Sequence, residues 1–320
     1  MTEGGIKKKE KRRHPELASL ATSVGCTALI FLVAIFLSDE IAGLVRGGLS
    51  LAVEVIIPSV FPFLLLTDVC MRLIRFEWVG WLRWIFEKRF HINGGALSVF
   101  ICGLLCGFPV GAKLALAMYE NGKISKCECE RLMTFANNAS PGYVICAVGI
   151  GMRGDIKDGI LLYVSTALSS VFAGMLFGIN KHKSDNSDFI MRQRYSFTES
   201  VKSAAMICLH VSAFVCVFSI IVGLAKKMIK GAVAKTVVIS LLEIGNAAVY
   251  LSDSCDLPPL VSLALTAFAI SFSGLCVCAQ TLSLIDKNSD ISFKKYIPRK
   301  LIQGCIAALI ALIFSIIKGL

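Results

Sequence analysis

A lysine inside an apolar segment is the first candidate for chemistry in this chain. Lys113 lies within the apolar segment Gly95–Tyr119, which Gly107, Pro109 and Gly111 interrupt. Proline removes an amide donor and glycine weakens a helix, so we expect a helix break here. At membrane depth the freed backbone groups must face protein or a water-filled cavity, and transporters bind ions and substrates at such breaks. An ionisable residue at this place therefore indicates a functional site.

A related stretch lies 167 residues further along the chain. The letters GFPVGAK of Gly107–Lys113 align with GLCVCAQ of Gly274–Gln280, and the same register continues through the polar loop that follows each stretch. This register predicts an internal repeat with a second broken helix. The residues that we expect to face a cavity in the second copy are Ser273, Gly274 and Gln280.

Two asparagines and a serine form a third candidate group. Asn137, Asn138 and Ser140 precede Pro141-Gly142 between apolar residues on both sides. Amides, a hydroxyl, a proline and a glycine at one place are typical of an unwound segment that lines a cavity. The alternative is an ordinary turn outside the membrane.

A carboxylate and an amide lie in the middle of another apolar segment. Glu243 and Asn246 are three residues apart, so they share one face of a helix. Polar groups at such depth are unfavourable unless they are used or paired. We expect them to bind a coupling cation, either H⁺ or Na⁺. The alternative is a structural salt bridge between Glu243 and Lys113.

Other kinds of site are absent from the sequence. Thirteen cysteines include no C-x-x-C pair, the four histidines form no cluster, and no Walker loop or HExxH motif occurs. We therefore expect no metal, no cofactor and no enzymatic activity. The net charge of +11 does not indicate nucleic acid binding, because cytoplasmic loops of membrane proteins are basic.

The elements that position these residues are membrane helices. The chain has 320 residues, 56% of them hydrophobic, and a mean hydropathy of +0.73. Soluble domains contain roughly 45–50% apolar residues. The sequence predicts an all-α polytopic membrane protein with about eight to ten transmembrane segments, including broken or re-entrant helices, and an internal inverted repeat.

The charges suggest how these segments are arranged. We divide the chain into a basic cytoplasmic tail (1–16), a first transmembrane half (17–180), a polar loop (181–196) and a second half (197–320). Nine crossings with a cytoplasmic N-terminus place 22 Lys and Arg inside and 8 outside, as the positive-inside rule requires. In this arrangement Gly95–Tyr119 runs outward and Pro259–Ile285 runs inward.

Several of these segments together resemble a known family. CGFPVGAKLA, KCECERLMTFANNASPGYV, LLEIGNAA and FSGLCVCAQTLS are similar to segments of the YlbJ-type sporulation integral membrane proteins, in the nucleoside-recognition, or Gate, domain superfamily. The resemblance implies a multi-pass cell-membrane protein of endospore-forming bacteria, with a fold related to concentrative nucleoside transporters. It also implies movement of dipicolinate across the mother-cell-derived membrane towards the forespore.

These observations lead to a hypothesis for the site. Helix starts at the two breaks would direct their amides to the carboxylates of a small-molecule anion. Lys113 and Gln280 would orient the anion, Asn137, Asn138 and Ser140 would complete the wall, and Glu243 would bind the coupling ion. The alternatives are a nucleoside or other small-solute carrier, and a non-transporting scaffold needed for sporulation. Expected partners are the lipid bilayer and either a second copy or another sporulation membrane protein, without nucleic acid.

Overall fold

The described part of the chain is helical. A computed structural model describes residues 35–73, 80–179, 197–253, 257–286 and 289–318, and these ranges contain no β-strand. The all-α prediction is confirmed. The predicted tail (1–16), residues 17–34 of the predicted first half and the predicted loop 181–196 lie outside the described residues. Contacts divide the chain into two compact units, Met1–Arg46 and Gly47–Leu320, and the candidate site lies in the second.

Thirteen α-helices and two π-helical segments make up the described residues. The α-helices are α1 (Ser38–Ser50), α2 (Ile57–Leu73), α3 (Gly80–Phe90), α4 (Ala96–Cys106), α5 (Val110–Glu120), α6 (Lys126–Phe135), α7 (Ile156–Gly178), α8 (Phe197–Met228), α9 (Ala232–Leu242), α10 (Ile244–Asp253), α11 (Pro259–Phe272), α12 (Gly274–Leu282) and α13 (Tyr296–Lys318). The π-helical segments are Leu51–Ile56 and Gly142–Met152.

Five stretches of the described residues are long and apolar enough to cross a membrane. Each has at least 22 residues and a mean hydropathy of 1.9 or more, and about 20 apolar residues span the hydrocarbon core. They are Ser38–Leu66, Ile156–Gly178, Phe197–Met228, Pro259–Leu282 and Tyr296–Ile317. The chain is therefore a multi-pass membrane protein.

Helices α4 and α5 form a hairpin. They have 11 residues each and pack against one another. A β-carbon added at Gly103 would lie 3.3 Å from the Cα of Gly111, whereas residues eight apart in a continuous helix are about 12 Å apart. The prediction that Gly95–Tyr119 crosses the membrane in one direction is therefore wrong, because the chain reverses at Gly107–Pro109.

Helices α9 and α10 form a second hairpin. They have 11 and 10 residues, pack against one another, and are separated by Glu243 in an extended conformation (φ −152°, ψ 128°). The charge distribution over nine crossings treated both hairpins as single crossings. It therefore does not fit the observed helices, and the cytoplasmic N-terminus stays a prediction.

A broken helix and a long helix follow each hairpin. After the first hairpin, α6 and the π-helical segment Gly142–Met152 are separated by residues 136–141, and α7 follows with 23 residues. After the second, α11 and α12 are separated at Ser273, which has a left-handed backbone (φ 78°), and α13 follows with 23 residues. The order of hairpin, broken helix and long helix thus occurs twice.

The repeat is present, but the predicted register of 167 residues is wrong. That register aligned the hairpin tip at Gly107 with the broken helix at Gly274. In element order, Gly107 corresponds to Glu243 and the 136–141 break corresponds to Ser273. The two stretches share glycine, valine and alanine residues because both lead into a helix that starts at a tight break.

An aromatic cluster packs the first hairpin against its neighbours. Phe86 and Phe90 of α3 contact Phe100 of α4 and Phe135 of α6, with ring centroids 5.4–6.5 Å apart. Trp81 and Trp84 on the same α3 are exposed, as on a helix that lies at a membrane surface. This packing holds the hairpin against the first broken helix.

Candidate functional site

Both hairpin tips, the first helix break and helix α12 meet around one cavity. Its volume is about 50 Å³, which is enough for a few water molecules or a bare ion. The polar and backbone groups around it come from all four elements, and apolar residues of α2 and α8 close the remaining side. The lining residues used below are Gly107, Phe108, Ser140, Tyr143, Glu243 and Gln280.

The tip of the first hairpin packs on the first break. Gly107 has φ 82°, and a β-carbon there would lie 2.8 Å from the backbone nitrogen of Ser140. Only glycine combines this backbone conformation with so close an approach. The Ser140 hydroxyl in turn accepts a hydrogen bond from the Tyr143 amide at 3.2 Å, at the start of the π-helical segment.

The tip of the second hairpin packs on the second break in the same way. Gly274 has φ 68°, and a β-carbon there would lie 3.0 Å from the Leu242 carbonyl oxygen and 3.2 Å from the Cα of Glu243. The Glu243 carboxylate accepts hydrogen bonds from the amides of Gly245 (2.8 Å) and Asn246 (2.6 Å). It therefore caps the start of α10 and faces the cavity at once.

In two polar side chains that line the cavity, one oxygen atom has no hydrogen-bond partner in the described part of the protein. These atoms are the Tyr143 hydroxyl and Oε1 of Gln280. Both side chains are almost completely buried. A buried polar atom without a partner is unfavourable by about 1–3 kcal/mol, so its presence indicates that a ligand or solvent contacts it.

Two helical segments, Gly142–Met152 and α10, begin at this cavity, and Cys276 in the first turn of α12 also lines it. The start of a helix carries a partial positive charge and favours anions. Glu243 offsets this potential at α10, whereas the neutral Ser140 caps the π-helical segment. The site thus combines an anion-attracting potential with one carboxylate.

The two asparagines are buried but point away from the cavity. The Asn137 amide donates to the hydroxyls of Thr281 and Tyr296, both at 3.0 Å. The Asn138 amide donates to the Phe135 carbonyl at 2.7 Å, and its oxygen accepts from Gln303 at 2.8 Å. They join the first break to α12 and α13 and do not line the cavity.

The other predicted residues are divided between packing and exposed positions. Gly111 packs against the backbone of Ala136, and Ser273 forms the second break. Pro109 is buried just before α5, also outside the cavity lining. Asn246 is half-buried and donates to Glu243 at 2.9 Å and to Ser219 at 3.3 Å.

Lys113 is exposed and is not part of the cavity lining. The ion pairs within the described ranges do not include the predicted pair between Glu243 and Lys113. The structure therefore separates the predicted positive charge from the cavity, and Gly107, Ser140, Gln280 and Glu243 remain together there.

Sequence reasoning missed a buried lysine in α13. Lys300 is 0% exposed, and its ammonium donates to the Asn137 carbonyl at 2.8 Å and to Oε1 of Gln303 at 3.2 Å. It was counted with the charges of the preceding loop. The signal that could have found it is the spacing of Tyr296, Lys300 and Gln303, which share one face of an apolar helix.

Comparisons with known proteins agree with the membrane assignment. The chain is 25% identical to the Sporulation integral membrane protein YlbJ of Bacillus subtilis (strain 168) over an alignment of 349 positions, which covers 93% of this chain and 83% of that protein. No protein-family profile matches the chain, so the relationship to the Gate superfamily stays a prediction. No solved structure matches either.

Proposed function

We propose that this chain is a sporulation-associated membrane transporter that moves a small aromatic dicarboxylate, dipicolinate, by alternating access. The observation that carries this proposal is the meeting of two hairpin tips, the first helix break and helix α12 around one cavity with unpartnered polar atoms. Repeat-built transporters bind their substrates at such breaks. Similarity to a sporulation integral membrane protein supports the cellular setting. The direction that we propose is towards the forespore.

The potential of the cavity suits an anion. Two helical segments begin there, and the Tyr143 hydroxyl can donate to a carboxylate. The apolar walls, including the Phe108 ring, suit a flat aromatic body. The cavity has room for only a few water molecules, so we expect the hairpins to move apart to admit the substrate. Movement of one repeat against the other is the usual basis of alternating access.

Glu243 is the proposed site for the coupling ion. Its carboxylate and a dianion in the same cavity would repel each other at close range. Binding of H⁺ or Na⁺ to Glu243 removes this repulsion, so that ion and substrate favour each other's binding. The unpartnered Gln280 oxygen lines the same cavity and can serve as a further oxygen ligand for a cation.

The test of transport is uptake of radiolabelled dipicolinate into proteoliposomes that contain the purified full-length chain. We expect saturable uptake that unlabelled dipicolinate inhibits and nucleosides do not. Inhibition by nucleosides instead would favour a nucleoside carrier on the same scaffold. Absence of uptake by folded protein would favour a scaffold or a complex that requires a partner.

The test of coupling is Glu243→Gln. We expect uptake driven by an H⁺ or Na⁺ gradient to fall at least tenfold, while exchange of labelled for unlabelled dipicolinate continues, because exchange needs no net ion movement. Glu199→Gln, at an exposed carboxylate of α8, serves as the control. Gradient-driven uptake that persists in Glu243→Gln would place the coupling ion elsewhere.

A further inference from the structure

We propose that Lys300 is the charged residue that recognises the second carboxylate of the substrate, and that Phe108 at the tip of the first hairpin covers it until the hairpin moves. This inference rests on the proposed function and deepens it. It assigns to α13 the positive charge that the cavity lining lacks.

The burial of Lys300 is the first observation. Its side chain is completely buried, and the described residues offer it no carboxylate within ion-pair distance. Its two acceptors are the Asn137 carbonyl and the Gln303 amide oxygen, both neutral. A buried ammonium is strongly unfavourable unless an anion pairs with it. The position of Lys300 therefore favours an anion that comes from outside the protein.

Helix capping accounts for only part of this arrangement. Lys300 lies beyond the end of α6, where a cation stabilises freed carbonyls. A neutral amide donor such as glutamine can satisfy the same Asn137 carbonyl without burying a charge. Two hydrogen bonds also leave one of the three ammonium N–H groups for another acceptor. A lysine at this place is thus more than capping requires.

Phe108 connects Lys300 to the cavity. Its side chain lines the cavity, and the Lys300 ammonium lies 5.7 Å from the centroid of the same ring. The ring is therefore close to the ammonium and also lines the cavity, and a cation held against an aromatic face is stabilised while the site is closed. Phe108 follows the hairpin tip at Gly107, so opening of the hairpin carries the ring away from Lys300.

The two charges near the cavity then have separate tasks. Glu243, on the second hairpin tip, binds the coupling ion, and Lys300, behind the first hairpin tip, binds the carboxylate. Lys113 has no part in recognition, because it is exposed and outside the cavity lining. The substrate class that follows is a dicarboxylate, in preference to a monocarboxylate of the same shape.

The experiment compares binding of dipicolinate and of picolinate, which has one carboxylate, to the purified full-length chain in detergent. The wild-type protein is expected to bind the dicarboxylate at least tenfold more tightly. In Lys300→Gln, whose amide can still donate to Asn137, this ratio is expected to fall to about one. Lys157→Gln, at an exposed lysine of α7, is the matched control and is expected to keep the wild-type ratio.

Each other result has a defined meaning. If Lys300→Gln keeps the ratio, or if Lys113→Gln loses it instead, the assignment of Lys300 is overturned while the proposed function stands. If the folded wild-type protein binds neither acid, the proposed function is overturned and the assignment with it.

A second measurement does not depend on folding of the lysine variant. In Phe108→Ala the covering ring is absent, and amine acylation of Lys300 can be followed by mass spectrometry. We expect saturating dipicolinate to slow acylation of Lys300 at least threefold and to leave acylation of Lys157 unchanged. Equal acylation of Lys300 with and without dipicolinate would overturn the assignment.

Discussion

The two copies of the repeat satisfy their broken backbones in different ways. The first break has six residues, 136–141, and α13 of the other copy binds it: Lys300 donates to the Asn137 carbonyl, and Tyr296 and Gln303 bind the side chains of Asn137 and Asn138. The second break is the single residue Ser273, and the hairpin tip that packs on it is capped by its own Glu243. A longer break frees more backbone groups, so it requires partners from elsewhere in the chain.

A second set of contacts joins the first copy to the loop before α13. Asp290 accepts a hydrogen bond from the Tyr119 hydroxyl at 2.6 Å and pairs with Lys126 at 3.4 Å. Glu130 accepts from the Ser292 amide at 2.9 Å, and its carbonyl accepts from Arg299 at 3.0 Å. The first copy is therefore held by the second at both the break and the end of its hairpin.

The largest expected difference between the copies concerns glycines of the two hairpins. A β-carbon at Gly103 would overlap the backbone carbonyl of Ala136, which cannot move without shifting the first break. At Gly245 the nearest atom is a terminal carbon of the Leu51 side chain, at 2.9 Å, which can rotate away. We expect Gly103→Ala to destabilise the protein by about 3 kcal/mol or more, and Gly245→Ala by about 1 kcal/mol or less.

Unfolding in mild detergent, followed by helical circular dichroism, measures this difference. Gly47→Ala is the control, because nothing lies within 4 Å of the added carbon. Equal destabilisation by Gly103→Ala and Gly245→Ala would contradict this prediction, because it would mean that both hairpins accommodate an added β-carbon equally well.

A smaller difference in stability is expected between loss of the Glu243 cap and loss of the Ser140 cap. Glu243→Ala removes charged hydrogen bonds to the amides of Gly245 and Asn246, and bonds to a charged group contribute about 1.5–3 kcal/mol. Ser140→Ala removes one neutral bond to the Tyr143 amide, which is equivalent to about 1 kcal/mol. The same unfolding assay measures how much free energy of unfolding each variant loses. A larger loss for Ser140→Ala than for Glu243→Ala would contradict the prediction.

The smallest expected effect concerns the exposed contact between the copies. The hydrogen bond from Tyr119 and the charge of Lys126 lower the pKa of Asp290. A carboxyl with a lowered pKa stabilises the folded state above its ordinary pKa of about 3.9, and this contribution is lost as pH falls through the lowered value. The thermal midpoints of the wild type and Asp290→Asn should differ at pH 7 and converge below about pH 4.

Tyr119→Phe sharpens this measurement, because it removes the main cause of the lowered pKa and leaves the carboxylate in place. Its difference from the wild type should vanish over the same acid range. A difference that grows on acidification would assign the contact to another titrating group.

Much of the site followed from residues that disturb apolar segments. Gly107 and Pro109 and the Ser140-Pro141-Gly142 stretch each marked a real break, because glycine and proline interrupt a helix for local reasons. These features depend on a few neighbouring residues, so one sequence is enough to find them. The prediction that Glu243 shares a helix face with Asn246 is wrong, because Glu243 has an extended backbone between α9 and α10.

The hairpins, the burial of Lys300 and the register of the repeat depend on packing between distant parts of the chain. Two 11-residue helices with a break have the same composition as one kinked 22-residue helix. The sequence therefore predicts a single membrane crossing where the structure has a hairpin. Lys113 and Lys300 both lie near the start of an apolar helix, and only the three-dimensional arrangement shows which one is buried. The 167-residue register followed local letter similarity, whereas the repeat is defined by the order of its elements.

The partner of the first break has a consequence for the synthesis of the protein. Lys300 follows Asn137 by 163 residues, and α13 leaves the ribosome after every other described helix. At roughly 5–20 residues per second, the carbonyl of Asn137 exists for about 8–30 s before its ammonium partner is made. During this interval the nascent first copy must remain beside the insertion machinery or in contact with water. Substitutions in α13 are therefore expected to increase degradation of newly made chains as well as to alter the mature site.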